Sequence, residues 1–219
     1  MHYRHMSASL LLSNLPIFGL LIVLLIIVKI LGSATFKGWL GEKLVIEAGL
    51  KRLDPSLYQH YHDLYLPRPD GKGTTQIDHA VVSPYGIFVI ETKNYKGWIF
   101  GSEKQRQWTQ QIYRAKHRFQ NPLHQNHLHV KALIKFLDLP ETSFRPLVFF
   151  IGGAEFKTPM PGNVLNRGLL PWIRNHSLTV LDPATVQKAN QSLGHLSDST
   201  NRREAARSHI RALRERNVA

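Results

Sequence analysis

The chain has 219 residues, 43% of them apolar, enough for one domain with a packed core plus extensions. Lysine and arginine number 28 against 15 acidic residues, and the formal charge of +13 points to an anionic partner, nucleic acid or a lipid surface. There is no cysteine, which excludes disulfides, thiolate nucleophiles and cysteine-ligated zinc.

After a short segment, residues 1–9, residues 10–31 form an apolar run whose one charge is Lys29. As a helix it would reach about 33 Å, enough to cross a hydrocarbon core, with Lys29 snorkelling to the interface. A signal peptide cleaved near Gly32-Ser33-Ala34 is the rival reading, but the apolar stretch exceeds the usual ~7–15 residues. An uncleaved, single-pass anchor is expected. Arg4 stands on its amino side, against Lys29, Lys37, Lys43, Lys51 and Arg52 on the other. The positive-inside rule then puts the rest of the chain in the cytoplasm.

Residues 32–36 read as a linker and residues 37–196 as one α/β domain. A helix is predicted over 37–53, with Leu40, Leu44 and Ala48 on one face. Asp54-Pro55 ends it. Residues 58–66 read as a strand and 67–74 as a turn-rich loop. Two strands follow, 75–82 and 87–93, joined by Ser83-Pro84-Tyr85-Gly86, which matches a type I turn. Residues 98–100 suit a third strand. Trp108, Ile112, Ala115 and Phe119 recur at helical spacing and predict a helix over 105–119. Asn121-Pro122 predicts a capped helix start, running to about 137. Residues 145–151 and 178–181 read as strands, and 168–174 and 183–193 as helices. The whole suggests a mixed central sheet flanked by helices. Residues 197–219 carry Arg202, Arg203, Arg207, Arg211, Arg214 and Arg216. They read as a marginal helix or a disordered basic tail, either solvated or touching phosphates or lipid head groups.

The most informative residues lie on the predicted hairpin. If it is symmetric about Pro84 and Tyr85, Asp78 faces Glu91 across the ladder, roughly 5 Å apart at Cβ. Like charges so placed destabilise a sheet, and burial among Ile, Val and Phe raises a carboxyl pKa. Lys93 shares the Glu91 face by period 2 and offsets part of the repulsion. A divalent cation is the stronger compensation, since hard cations take carboxylate oxygens. An ordinary exposed Glu-Asp-Lys cluster remains the competing reading. His79 should point to the opposite sheet face, away from the chemistry.

His117, His124, His127 and His129 cluster loosely around Asn121-Pro122. A solvated or phosphate-facing helix is expected there rather than zinc. His60 and His62 are expected at the surface. Lys72, in the loop of Asp70 to Gly73, is placed near the active edge. Lys96, Lys104, Arg106, Arg114, Lys116 and Arg118 supply positive charge after the hairpin, suited to a nucleic acid backbone or simply to solvent. No element looks like a base-reading helix.

The runs Gly38-Trp39-Leu40-Gly41-Glu42, Gln76-Ile77-Asp78-His79 and Ile87-Phe88-Val89-Ile90-Glu91-Thr92-Lys93-Asn94 together resemble the nuclease-related domain, NERD. Gly97-Trp98, Trp108 and Asn121-Pro122-Leu123 with Gln125 extend the resemblance, which covers about residues 37–137. The resemblance implies a restriction-endonuclease-like, PD-(D/E)xK fold and metal-dependent hydrolysis of nucleic acid phosphodiesters, DNA favoured. It implies that Asp78 and Glu91 bind Mg²⁺ or Mn²⁺ with the Thr92 carbonyl as a further ligand, and that Lys93 and Glu42 complete the catalytic set. It places Gln110 as a polar contact on a following helix, in competition with Gln111. A catalytically silent module binding nucleic acid or a protein at the membrane is the alternative. Ile77 stands where the family pattern has proline.

Overall fold

The computed structural model describes residues 49–198, 209 and 210, together with 20 and 22–24. The chain divides into two units, Met1–Leu40 and Gly41–Ala219. In the first, Leu20, Ile22, Val23 and Leu24 are helical. The rest of the expected anchor lies outside the described residues, and among the described residues no helix is long and apolar enough to cross a membrane. Most of the helix expected over 37–53 also lies outside them. Its described end is a 3₁₀ turn, Leu50–Arg52.

In the second unit the predicted hairpin is present as β2 (Thr74–Ser83) and β3 (Gly86–Asn94), preceded by β1 (Gln59–Pro67). The β2–β3 ladder runs from His79↔Ile90 to Ser83↔Gly86, the register symmetric about Pro84 and Tyr85. Ser83 closes the turn: its Oγ donates to the Gly86 carbonyl at 3.0 Å and accepts from the Tyr85 N–H at 3.2 Å. Gly86 has φ 125, and a Cβ there would stand 2.9 Å from the Ser143 carbonyl oxygen, so the close approach requires glycine.

β3 also pairs in parallel with β7 (Phe144–Ile151), and β7 with β9 (Val164–Leu165). The first sheet therefore has the order β1-β2-β3-β7-β9, antiparallel on one side and parallel on the other. β3 sits at its centre, and its residues 86–92 are all buried. One face packs on α1 (Pro122–Leu137) and α3 (Pro183–Asp198) through Ile77, Val89, Val130, Leu133 and Leu193. The other packs on Leu50, Tyr58 and α2 (Leu169–Arg174) through Val81, Phe88, Ile90 and Ile173. The mixed central sheet flanked by helices is thus as expected.

α1 starts where the sequence places it. The Asn121 side chain accepts the Leu123 N–H at 2.9 Å and Pro122 takes the first helical position. Asn126 ties the helix to the sheet, its Nδ2 donating to the carbonyls of Val89 and Leu147, each at 3.0 Å.

Three expectations are corrected. Residues 105–119 are not a helix but a hairpin, β5 (Gln107–Ile112) and β6 (Ala115–Gln120). The apolar residues that mimic helical spacing are two cross-strand pairs, Trp108↔Phe119 and Ile112↔Ala115. Next, β4 (Gly97–Phe100) does not extend the β2–β3 hairpin. It joins a second mixed sheet, β6-β5-β4-β8, in which β8 (Ala154–Phe156) runs parallel to it. Ile99 and Trp108 of this sheet pack on Val148 and Phe150 of β7, with the Trp108 and Phe150 rings stacked 6.1 Å apart. Last, residues 178–181 are irregular rather than a strand. Leu181 is buried, but Leu178 is 77% exposed and the Val180 and Leu181 N–H groups serve the Pro84 carbonyl.

Candidate active site

The first sheet breaks its own alternation at one place. Ile77 and Ala80 on β2 share one core cluster, and Leu64 and Tyr61 on β1 join the same cluster, although strict period 2 would part each pair. The register is the same on both sides of the break, with His62↔His79 before it and Leu64↔Ile77 after it. The residues between are Asp63, at φ 52, and Asp78. A matched kink of this kind re-aims a side chain. Asp78 here lines a cleft of about 340 Å³ together with Thr75, Lys72, Gln125 and His129.

Behind the cleft wall lies Glu91, 1% exposed. Its Oε1 accepts from Lys93 Nζ at 2.6 Å and its Oε2 meets His129 Nε2 at 2.8 Å. Lys93 also donates to Gln125 Oε1 at 3.0 Å, and His129 Nδ1 meets Thr75 Oγ1 at 2.8 Å. Gln125 and His129 stand four residues apart on α1, so one helix face addresses both ends of the Glu91–Lys93 pair. Burial pushes the Glu91 carboxyl upward, but the Lys93 ammonium and the His129 hydrogen bond outweigh it and the net displacement is downward. Burial likewise pulls Lys93 down, and Glu91 and then Asp78 overcome it, so the ammonium is held above its ordinary value. Both groups are charged at neutral pH.

Asp78 Oδ2 accepts the Thr92 N–H at 2.8 Å. The acid thus reaches across to the β3 main chain, beyond the last ladder pair. In an extended strand the N–H and C=O of one residue leave on the same side, so the Thr92 carbonyl faces the Asp78 edge as well. Asp78, Glu91 and this carbonyl are oxygen donors of the kind a hard divalent cation takes. A carboxylate has about four lone-pair sites, so the hydrogen bonds to Glu91 leave it capacity to ligate. The residues present fit such an ion, although among the described residues no group of three or more His, Asp or Glu side chains converges as a metal cluster. Glu42 lies outside the described residues.

Of the basic residues expected at the nucleic acid, Lys72 lines the cleft and Arg68 joins it, its guanidinium holding Asp70 at 3.0 and 2.6 Å. Lys104 stands exposed in the turn before β5, and Arg106 lines a separate, larger groove. Gln110 is on a strand, not a helix, and donates to the Lys96 carbonyl at 2.8 Å, away from the acids. His209, from the basic tail, lines the cleft and meets Thr74 Oγ1 at 2.9 Å; the tail's arginines lie outside the described residues. His60 and His62 are half-buried, and His117 and His124 are exposed.

His129 is the residue that sequence reasoning missed. It was expected on a solvated face and is buried against Glu91 instead. Its spacing of three from Asn126 and four from Gln125, both polar and both turned to the sheet, is the signal that marks its face of α1 as internal.

The sequence model of the nuclease-related domain matches residues 37–151, a stretch that contains Asp78, Glu91, Thr92, Lys93, Gln125 and His129. An uncharacterized protein of Bacillus anthracis is 53% identical over 98 residues, 45% of this chain. That alignment likewise spans 45% of the relative's own length. No solved structure matches significantly. The family match covers more than half of the chain and includes the whole hairpin that carries the acids, and on that ground this chain belongs to the nuclease-related domain family.

Proposed function

We propose that the chain is a metal-dependent nuclease that hydrolyses nucleic acid phosphodiesters, DNA foremost, on a restriction-endonuclease-like sheet. The observation that carries this reading is the convergence of Asp78, on a cleft shared with Lys72, with the charged Glu91–Lys93 pair immediately behind it. Asp78 and Glu91 would hold Mg²⁺ or Mn²⁺, with the Thr92 carbonyl beside them. Such an ion supplies the Lewis-acid charge that phosphodiester hydrolysis needs at neutral pH. Lys93 brings a protonated ammonium, fixed by Glu91 and Gln125, toward charge developing on the phosphate. Lys72 and Arg68 flank the cleft and suit backbone phosphates. The apolar residues 10–31, with lysines after them, support a tether that holds the domain on the cytoplasmic side of a membrane.

A second reading has its own support. Glu91 is almost wholly buried with both oxygens engaged, as suits a silent module that binds nucleic acid or a protein partner without turnover.

The test uses the full chain in mild detergent with supercoiled plasmid. Nicking in Mg²⁺ or Mn²⁺ that EDTA abolishes, and that Asp78→Asn and Glu91→Gln both lose while still binding DNA, supports the nuclease. Binding with no nicking in any metal supports the silent module.

A further inference from the structure

The outer face of the second sheet carries aromatic and cationic side chains in register. On β4, Ile99 points into the core, while Trp98 is 44% exposed and Phe100 half-buried on the opposite face. The ladder extends each aromatic into a row across the sheet. Phe100 pairs with Thr109 and Thr109 with Arg118; Trp98 pairs with Gln111 and Gln111 with Lys116. From each ring the row passes a neutral polar group and ends on an exposed cation of β6, while on its other side Trp98 pairs with Glu155 of β8. The rings stand about 6.7 Å apart along the strand, on the scale of one extended nucleotide. Lys157 Nζ lies 4.9 Å from the Trp98 ring centroid and 2.9 Å from Glu155 Oε2, so this pair steadies the ring, and the net positive charge of the face comes from Lys116, Arg118 and Arg106.

The Phe100 row floors a groove of about 970 Å³, which Arg106 and Gln120 also line. Gln120 is equally a wall of the cleft that contains Asp78. The two depressions share that residue.

We propose that this sheet face is a binding platform for single-stranded nucleic acid, whose bases stack on Trp98 and Phe100 and whose phosphates follow Lys116, Arg118 and Arg106 past Gln120 to the cleft. The proposal rests on the nucleic-acid reading above and names its substrate form. A flat sheet with exposed rings takes unpaired bases, because in a duplex the ring faces of the bases are already stacked. Thr109 and Gln111 stand between the rings and the cations, polar groups that suit base edges and sugars rather than lipid tails.

The test measures binding of a short fluorescein-labelled oligodeoxythymidylate, and of a duplex of equal length, by anisotropy on the full chain in mild detergent. EDTA is present throughout, so cleavage does not interfere. Trp98→Ala and Phe100→Ala should each weaken the single strand about 10-fold, change the duplex by less than about 2-fold, and leave the circular dichroism spectrum unchanged. Trp98→Phe should restore most of the affinity. Arg118→Gln, at an exposed position, should lower the salt slope by about one. Single-strand affinity unmoved by the Trp98→Ala/Phe100→Ala double variant overturns the platform, as does wild-type protein that does not bind the oligonucleotide. Loss of binding to phosphatidylserine vesicles in place of oligonucleotide binding would reassign the face to lipid. Nicking that persists with unchanged affinity in the double variant removes the platform and leaves the nuclease standing. Ring-dependent binding with no nicking in any metal does the reverse.

Discussion

His129 Nε2 lies 2.8 Å from Glu91 Oε2, and the two side chains are 2% and 1% exposed. A buried carboxylate stripped of one partner keeps its desolvation cost and loses its compensation. His129→Leu should therefore destabilise the full chain by about 3 kcal/mol, read as a lower urea midpoint in tryptophan fluorescence. His129→Gln retains a donor and should lose about half as much. Equal midpoints for His129→Leu and wild type would refute the role of the pair.

Lys93→Met tests the other side of Glu91 and has a definite pH signature. In the wild type the Glu91 carboxyl lies below its ordinary value of 4.5. Its contribution is then present above that pH and is lost as pH falls through the folded value. Without the ammonium, burial is the dominant influence and the displacement turns upward. The stability gap between wild type and Lys93→Met should be widest near neutrality, about 3–5 kcal/mol. It should begin to narrow above pH 4.5 as the variant's Glu91 takes a proton, and narrow further below 4.5 as the wild type loses its own contribution. A gap that stays constant with pH would exclude this coupling.

His79 supplies a second acid-sensitive element. It is 1% exposed, and neither ring nitrogen has a hydrogen-bond partner among the described residues. Burial, reinforced by His62, pulls it from 6.5 to about 4. The unfolded chain therefore binds more protons than the folded one in this window, so stability is complete above pH 6.5 and declines as pH drops toward about 4. His79→Phe should flatten the decline between those two values by about 2–3 kcal/mol, measured by urea unfolding at a series of pH values. Parallel pH profiles would count against it.

Gly101 faces the Trp108 ring so closely that a Cβ would stand 2.2 Å from its Cδ2. Trp108 cannot retreat: it is fully buried, stacked on Phe150, and its Nε1 donates to the Ser102 carbonyl at 2.9 Å. Gly101→Ala should cost about 1–3 kcal/mol, seen as a lower thermal midpoint with a red-shifted tryptophan emission. An unchanged midpoint would show that the second sheet is free to give way there.

Much of this was legible in the sequence where the determinants are local. The β2–β3 hairpin is written in Ser83-Pro84-Tyr85-Gly86, and its symmetry holds as far as His79↔Ile90; beyond that pair Asp78 bonds the Thr92 N–H instead of sitting in a ladder pair with Glu91, because the kink at Asp63 and Asp78 is invisible in the turn. Asn121-Pro122 announces α1 because a cap and its first helical residue are neighbours. The β5–β6 hairpin was hidden because residues paired across a tight turn recur at intervals that a helix also produces. The second sheet was hidden because β4 depends on β8, a strand more than fifty residues later. His129 was hidden because its value lies in Glu91 and Thr75, which reach it only through the fold.

Glu91 and Lys93 ride the innermost strand of their sheet, held by an antiparallel neighbour on one flank and a parallel one on the other. Their separation is a property of the scaffold, not of a loop. A substitution at either side chain therefore changes the charge balance at a fixed address in the core, and its effect is read as stability and titration rather than as a displaced strand.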